Sequence, residues 1–125
     1  MIKNYKSGSV VICNYINFKG EIKKGLFVVL YNELYDNLNN NEKNFMAVKI
    51  TTQLDMVGNY TVNLNLEENS FFKYPCLACC SKIHTLHKNQ IEGVLGRLSE
   101  NTFKKVYVSY SKFISEVNRQ MMSEL

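Results

Sequence analysis

C-S-K-I-H-T-L-H-K-N-Q-I-E-G-V-L-G-R-L, residues 80–98, decides the fold. Residues 80–86 lean apolar and suit a buried strand, residues 87–90 form a polar turn, and residues 91–98 are a second apolar run. Gly93 and Gly96 inside that run mark places where a backbone bends or is closely approached. At Ser99 the period changes. Phe103, Val106, Tyr107, Tyr110, Phe113, Ile114, Val117 and Met121 recur at helical spacing, while Lys104, Lys105, Ser109, Lys112, Glu116 and Arg119 lie mostly off that stripe. Ser99 is a good N-cap with Glu100 in the first turn, so the pattern predicts one amphipathic helix over residues 100–122. Phe103, Tyr107, Tyr110 and Ile114 are expected to be buried against strands.

Working toward the N-terminus, residues 74–81 read as a strand that begins near Pro75. In residues 60–66, Val62, Leu64 and Leu66 alternate with Thr61, Asn63 and Asn65, as in a strand with one wet face. Residues 45–53 form another strand, and Gly58-Asn59 between the two predicts a hairpin turn with positive φ at the glycine. The Asn-rich stretch 32–44 reads as a long surface loop. The apolar, β-branched run 26–31 is a buried strand, residues 17–24 a polar loop, and residues 10–16 the first strand after a short frayed lead-in. Five or six short strands and one closing helix give an α+β domain, mainly antiparallel β: a small, partly open SH3-like barrel, expected to be a single domain over residues 1–125.

The chain is long enough to bury a core without staples. Eight Tyr, seven Phe and 46% hydrophobic residues exclude a disordered chain. The net charge of +4 is compatible with a nucleic-acid partner and does not by itself require one. Neither a signal-peptide run nor an apolar stretch of bilayer-spanning length is visible, so no membrane partner is expected and the chain reads as cytoplasmic, with Cys13, Cys76, Cys79 and Cys80 as reduced thiols. Cys76, Cys79 and Cys80 followed by His84 and His87 are zinc-ligand types. On a strand, however, Cys76 and Cys80 share one face and Cys79 takes the other, which scatters the ligands, so no metal or other cofactor is expected. Tyr15, Tyr31 and Tyr60 could stack on bases, with packing the more natural role.

K-I-H-T-L-H-K followed by V-L-G-R-L resembles the C-terminal half of the MazF/PemK toxins of type II toxin-antitoxin systems. In the N-terminal half, order and spacing also match: Gly8-Ser9 stands at the family's Gly-Asp, Lys24-Gly25 at its Arg-Pro, and Ile50-Thr51-Thr52 at its strand ending in an apolar residue and a hydroxyl residue. The resemblance implies a metal-independent endoribonuclease acting on single-stranded RNA, a homodimer, and an acidic antitoxin as partner. Carried over by position, it implies Lys24 as the phosphate cation and Thr51 as the hydroxyl donor of the catalytic pair. Lys19, Lys23, Thr52, Gln53 and His84 would contact RNA beside Lys24. Lys in place of Arg keeps the charge and loses the planar fork. Cys79 and Ser81 stand where some members carry a further Arg and Asp, so a catalytically degenerate member that binds RNA or a protein without cutting is the alternative.

Overall fold

The computed structural model describes residues 6–30 and 44–125. Its elements are β1 (Ser9–Ile16), β2 (Ile22–Val29), β3 (Asn44–Thr51), β4 (Thr61–Leu64), β5 (Cys76–His87), β6 (Ile91–Arg97) and a helix, α1 (Glu100–Ser123). The strands form one sheet in the order β4-β5-β3-β2-β1-β6, every neighbour antiparallel. The sheet does not close on itself, so β4 and β6 are its edges.

Period-two alternation gives the sheet two apolar faces. Val10, Val28, Val48, Ile50, Leu64, Cys76, Ala78 and Cys80 form a core with Val106 of α1, and Phe103 and Tyr110 pack against it. Val11, Cys13, Phe27, Val29, Phe45, Ala47 and Leu86 form a second core on the opposite face, edged by Tyr15 and Ile91. Strands buried on both sides explain the continuous apolar runs in β1, β2 and the first half of β5.

Two irregularities shape the sheet. Val48 pairs with Ile83 and the next residue, Lys49, pairs with Cys79, so residues 80–82 bulge out of the β3–β5 ladder. Between β1 and β6 the register slips by one residue at two places, leaving Leu95 and Glu92 as the extra residues. Gly96 lies beside the first slip, and a Cβ there would sit 2.6 Å from the Phe71 ring, so this glycine admits a close approach. Gly8, with φ of 88°, joins strand ends: its N–H donates to the Val29 carbonyl and its carbonyl accepts from the Leu98 N–H.

The helix start is fixed by a buried polar knot. Ser99 Oγ accepts from the Thr102 N–H at 3.1 Å, and the Ser99 N–H donates to Asn69 Oδ1 at 2.8 Å. Asn69 Nδ2 donates to Thr102 Oγ1 at 3.1 Å and to the Asn65 carbonyl at 2.8 Å. Asn69 is 1% exposed with both ends of its amide bonded, which ties the 65–75 connection to α1.

Several expectations need correction. β2 begins at Ile22 instead of Leu26, because Lys23 and Lys24 pair with Tyr15 and Asn14. Gly58-Asn59 does not join a hairpin. β3 and β4 both pair with β5, which lies between them, and Gly58 is not among the positive-φ glycines. The segments read as strands at 74–81 and 80–86 are one strand, β5, carried through its bulge. Tyr107 is 49% exposed and Met121 62% exposed: α1 packs chiefly on β4 and β5, and these two side chains lie outside that contact. Tyr31, the loop at 32–43 and the lead-in before Lys6 lie outside the described residues.

Leu64→Ala should lower stability by about 2–5 kcal/mol in urea unfolding, because Leu64 is fully buried between β4 and α1. Tyr107→Ala should cost far less; equal losses would contradict this docking of the helix.

Candidate RNA-binding face and strand ends

Three lysines lie in or just after the β1–β2 turn. Asn17 Oδ1 accepts from the N–H groups of Lys19 and Glu21 at 2.9 and 3.0 Å, and Gly20 takes φ of 78°. Lys19 lies 5.8 Å from the exposed ring of Phe18. Lys23 stands opposite Tyr15, and Lys24 opposite Asn14. The ammonium of Lys24 is 3.0 Å from Glu92 Oε2, and Asn14 Nδ2 donates to Glu92 Oε1 at 3.1 Å. Glu92 reaches both because it is the extra residue of the second β1–β6 slip. Its carboxyl is held below the usual glutamate range, chiefly by the hydrogen bond from Lys24 and then by that from Asn14.

The hydroxyl of Thr51, at the end of β3, accepts from the Gln53 N–H at 3.1 Å. Thr52 and Gln53 are exposed. Thr52 lines a cavity of about 420 Å³ with Ile12, Leu26, Phe71 and Leu95 on the helix side of the sheet. Alternation along β2 puts Lys24 on that same side, with Leu26 and Val28. Thr51 follows Ala47 and Lys49 onto the other side. The two residues therefore share one end of the sheet, on adjacent strands, with side chains leaving opposite faces.

The Thr51 face holds a cationic cluster. Lys49 is half-buried, its ammonium 5.0 Å from the Tyr15 ring centroid and 5.3 Å from that of Phe27. A Cβ on Gly25 would lie 2.7 Å from Lys49 Nζ and 2.8 Å from Tyr15 Cε1, so only glycine leaves this space to the ammonium. His84 stands edge-on to the same rings, 5.1 Å from Phe27 and 5.7 Å from Tyr15. Burial, and then Lys49 and Lys82, push the His84 imidazole below the ordinary histidine range, which favours its neutral form. Burial likewise lowers the Lys49 ammonium, with Lys82 adding to the effect and Cys79 opposing it.

His87 has a structural task. Its Nδ1 accepts from the Asn89 N–H at 3.1 Å and its own N–H donates to Gln90 Oε1 at 2.7 Å, closing the turn into β6. All four cysteines are buried and free, and burial raises Cys13, Cys76 and Cys80 to about 11, so they are thiols at neutral pH. Cys76 and Cys80 belong to the helix-side core, while Cys79 opposes Lys49. Tyr15 packs against Phe27, and Tyr60 against Phe113. Sequence reasoning passed over Lys49, Lys82, Asn14 and Glu92. The available signal was Lys49 itself, a lone charge inside the apolar run F-M-A-V-K-I.

A family model described as the PemK-like, MazF-like toxin of type II toxin-antitoxin systems matches residues 6–114. No curated protein matches the sequence. Among solved structures, an endoribonuclease from Mycobacterial species is 16% identical with a TM-score of 0.70, covering 92% of this chain and 95% of that one. An endoribonuclease in complex with its cognate antitoxin, also from Mycobacterial species, is 16% identical with a TM-score of 0.68, covering 87% and 93%. The MazE-MazF structure from Deinococcus radiodurans is 12% identical with a TM-score of 0.66, covering 89% and 96%. At these identities the likeness shows the fold.

Glu92 should titrate below an ordinary glutamate in a carbon-detected NMR titration, and Lys24→Ala should move its midpoint upward. Because the folded-state value is depressed, whatever stability this contact adds is present above the unfolded-state glutamate pKa and lost as pH falls through the folded one. An unchanged midpoint in Lys24→Ala would mean that the ion pair does not form in solution.

Proposed function

The chain belongs to the PemK-like, MazF-like toxins of type II toxin-antitoxin systems, and from that membership we propose that it is a metal-independent endoribonuclease acting on single-stranded RNA. The observation that carries this reading is the extent of the family match. It runs through all six strands and well into α1, on the fold of chains named as endoribonucleases. In the proposed reaction the substrate's 2′-OH attacks the adjacent phosphorus. The O2′–P bond forms, the P–O5′ bond breaks, and a 2′,3′-cyclic phosphate remains. The 2′ proton leaves, and the departing 5′ oxygen gains one. The protein has to offset charge growing on the phosphoryl oxygens and to handle those two protons.

Lys24 and Thr51 are the proposed catalytic pair, at the end of the sheet where β2 starts and β3 stops. Because they leave opposite faces, they would grip an RNA backbone that crosses the strand ends, Lys24 from one side and Thr51 from the other. Lys19, Lys23, Thr52, Gln53 and His84 are the proposed flanking contacts. An acidic antitoxin competing for this basic strip, a two-fold dimer and a cytoplasmic location complete the reading. Light scattering at micromolar concentration should show the dimer, and a monomer there would count against it.

One observation favours the non-cleaving alternative: the charge of Lys24 is already met by Glu92 at 3.0 Å. Cleavage of a long single-stranded RNA in the presence of EDTA separates the readings. Thr51→Ala and Lys24→Ala should each slow cleavage roughly a hundred- to a thousand-fold, whereas Lys24→Arg should preserve or raise it. Equal cutting by wild type and both alanine variants would remove this pair from the site. Cutting by Lys24→Arg alone would establish the degenerate reading.

A further inference from the structure

We infer that Lys49, with Lys82 and His84 beside it, forms a second cation site of this chain, which binds an RNA backbone phosphate together with the Thr51 hydroxyl; the inference rests on the RNA reading above.

Four observations converge on that cluster. The Lys49 ammonium has the rings of Tyr15 and Phe27 on its flanks and, among the described residues, one long hydrogen bond, 3.4 Å, to the Ile50 carbonyl. An ammonium has three N–H donors, so donor capacity is left over. Among the described residues, no carboxylate pairs with Lys49 or Lys82. Lys82 is exposed in the β5 bulge and lies close enough for its charge to act on Lys49, Cys79 and His84. A cluster of cations with unused donors is complementary to an anion.

The position selects the kind of anion. Lys49 and Thr51 are two residues apart on β3 and share a face, roughly 7 Å from one another along the strand. Charge-assisted hydrogen bonds of about 2.8 Å to different oxygens of one phosphate span such a gap. The half-buried ring of Tyr15 lies beside the ammonium, and Lys23 stands opposite Tyr15 across the β1–β2 ladder. Cations alternating with an aromatic ring suit single-stranded nucleic acid, whose bases stack while its phosphates are paired. Neutral His84 adds one donor and one acceptor nitrogen without repelling the lysines.

Gly25 is the residue that makes this arrangement possible. Any side chain there would meet Lys49 Nζ and Tyr15, so Gly25→Ala displaces the ammonium while leaving every charge in the chain in place.

The test uses a fluorescein-labelled, 2′-O-methyl single-stranded RNA oligonucleotide, which binds and cannot be cut, with anisotropy read across a salt series. Lys49→Met keeps the apolar stem and removes the charge. Relative to wild type it should bind more weakly and lose about 0.7 from the slope of log affinity against log salt, the loss expected for one phosphate contact on a single strand. Gly25→Ala should weaken binding in the same direction. In the cleavage assay Lys49→Met should slow RNA cutting roughly a hundred-fold or more. His84, which faces Lys49, Lys82, Tyr15 and Phe27, supplies a readout that needs no RNA. Its NMR titration midpoint should rise in Lys49→Met. Thermal unfolding of each variant shows that the fold is kept. If wild type binds and cuts RNA while Lys49→Met matches it in slope, rate and His84 midpoint, this site is wrong and the endoribonuclease reading stands. If wild type neither binds nor cuts RNA, both fall.

Discussion

The register shift in β5 is the constraint on which the rest of the structure depends. Three residues, Cys80, Ser81 and Lys82, stand between the partners of Val48 and Lys49. Cys76 and Ala78 before the bulge, and Cys80 at its start, face α1; after it, Ile83 packs on that same core while His84 and Leu86 take the other face. An odd number of inserted residues reverses the alternation, as any odd slip in a period-two element must. One strand therefore serves both cores. Its first half also holds β4, and the Cys80 N–H donates to the Tyr60 carbonyl at 2.8 Å just where the ladder with β3 breaks. Without the bulge, Lys82 would remain in the ladder and His84 would point toward the helix.

That bulge also marks the limit of what the sequence made legible. Hydrophobic period and capping chemistry located α1 to within a residue or so at each end, and its Ser99 cap is present as expected. The first and last strands were read closely, because glycine and polar turns bound them. The scatter of the cysteines over two faces was also correct. The error at Gly58 has a different origin. A turn signal says that the chain reverses, but only long-range pairing decides that β5 enters between β3 and β4. Tyr107 shows the same limit: periodicity identifies the apolar stripe of a helix, and the extent of the sheet beneath it decides how much of that stripe is covered.

The candidate site was legible in part for a related reason. Position along the chain brought Lys24 and Thr51 to one end of the sheet, but alternation sends them to opposite faces, which linear matching cannot register. The two single-residue slips of β6 likewise have no visible trace in I-E-G-V-L-G-R beyond the two glycines. One of those slips supplies Glu92 to Lys24. Some members of the resembled family carry an Arg at the position where this chain has Cys79. The residue directly opposite across the strand pair is Lys49, so a cation is present at that level of the sheet on a different strand. A one-dimensional comparison scores the position as lost, whereas the folded surface still carries a charge there.

Magnitudes bear on why such a lysine is kept. Lys49 is the one charged residue in a strand whose neighbours Val48 and Ile50 are core. Contacts with ring faces stabilise an ammonium by about 0.5–2 kcal/mol, more when it is desolvated. Removing part of its hydration costs energy of the same order or larger, and burial, with Lys82 adding to it, lowers the affinity of Lys49 for its proton. An apolar residue of similar length would relieve that penalty and keep the packing against Tyr15 and Phe27, a replacement that is often neutral or stabilising for buried charges. Among the described residues, packing therefore gives no reason for the charge of Lys49, while the open space at position 25 serves the Tyr15 ring as well as the ammonium. An anion bound at Thr51 would supply a reason for that charge: it provides, only in the complex, a counter-charge that the described residues do not, so the same desolvation that weakens the free protein strengthens the ammonium's hold on phosphate.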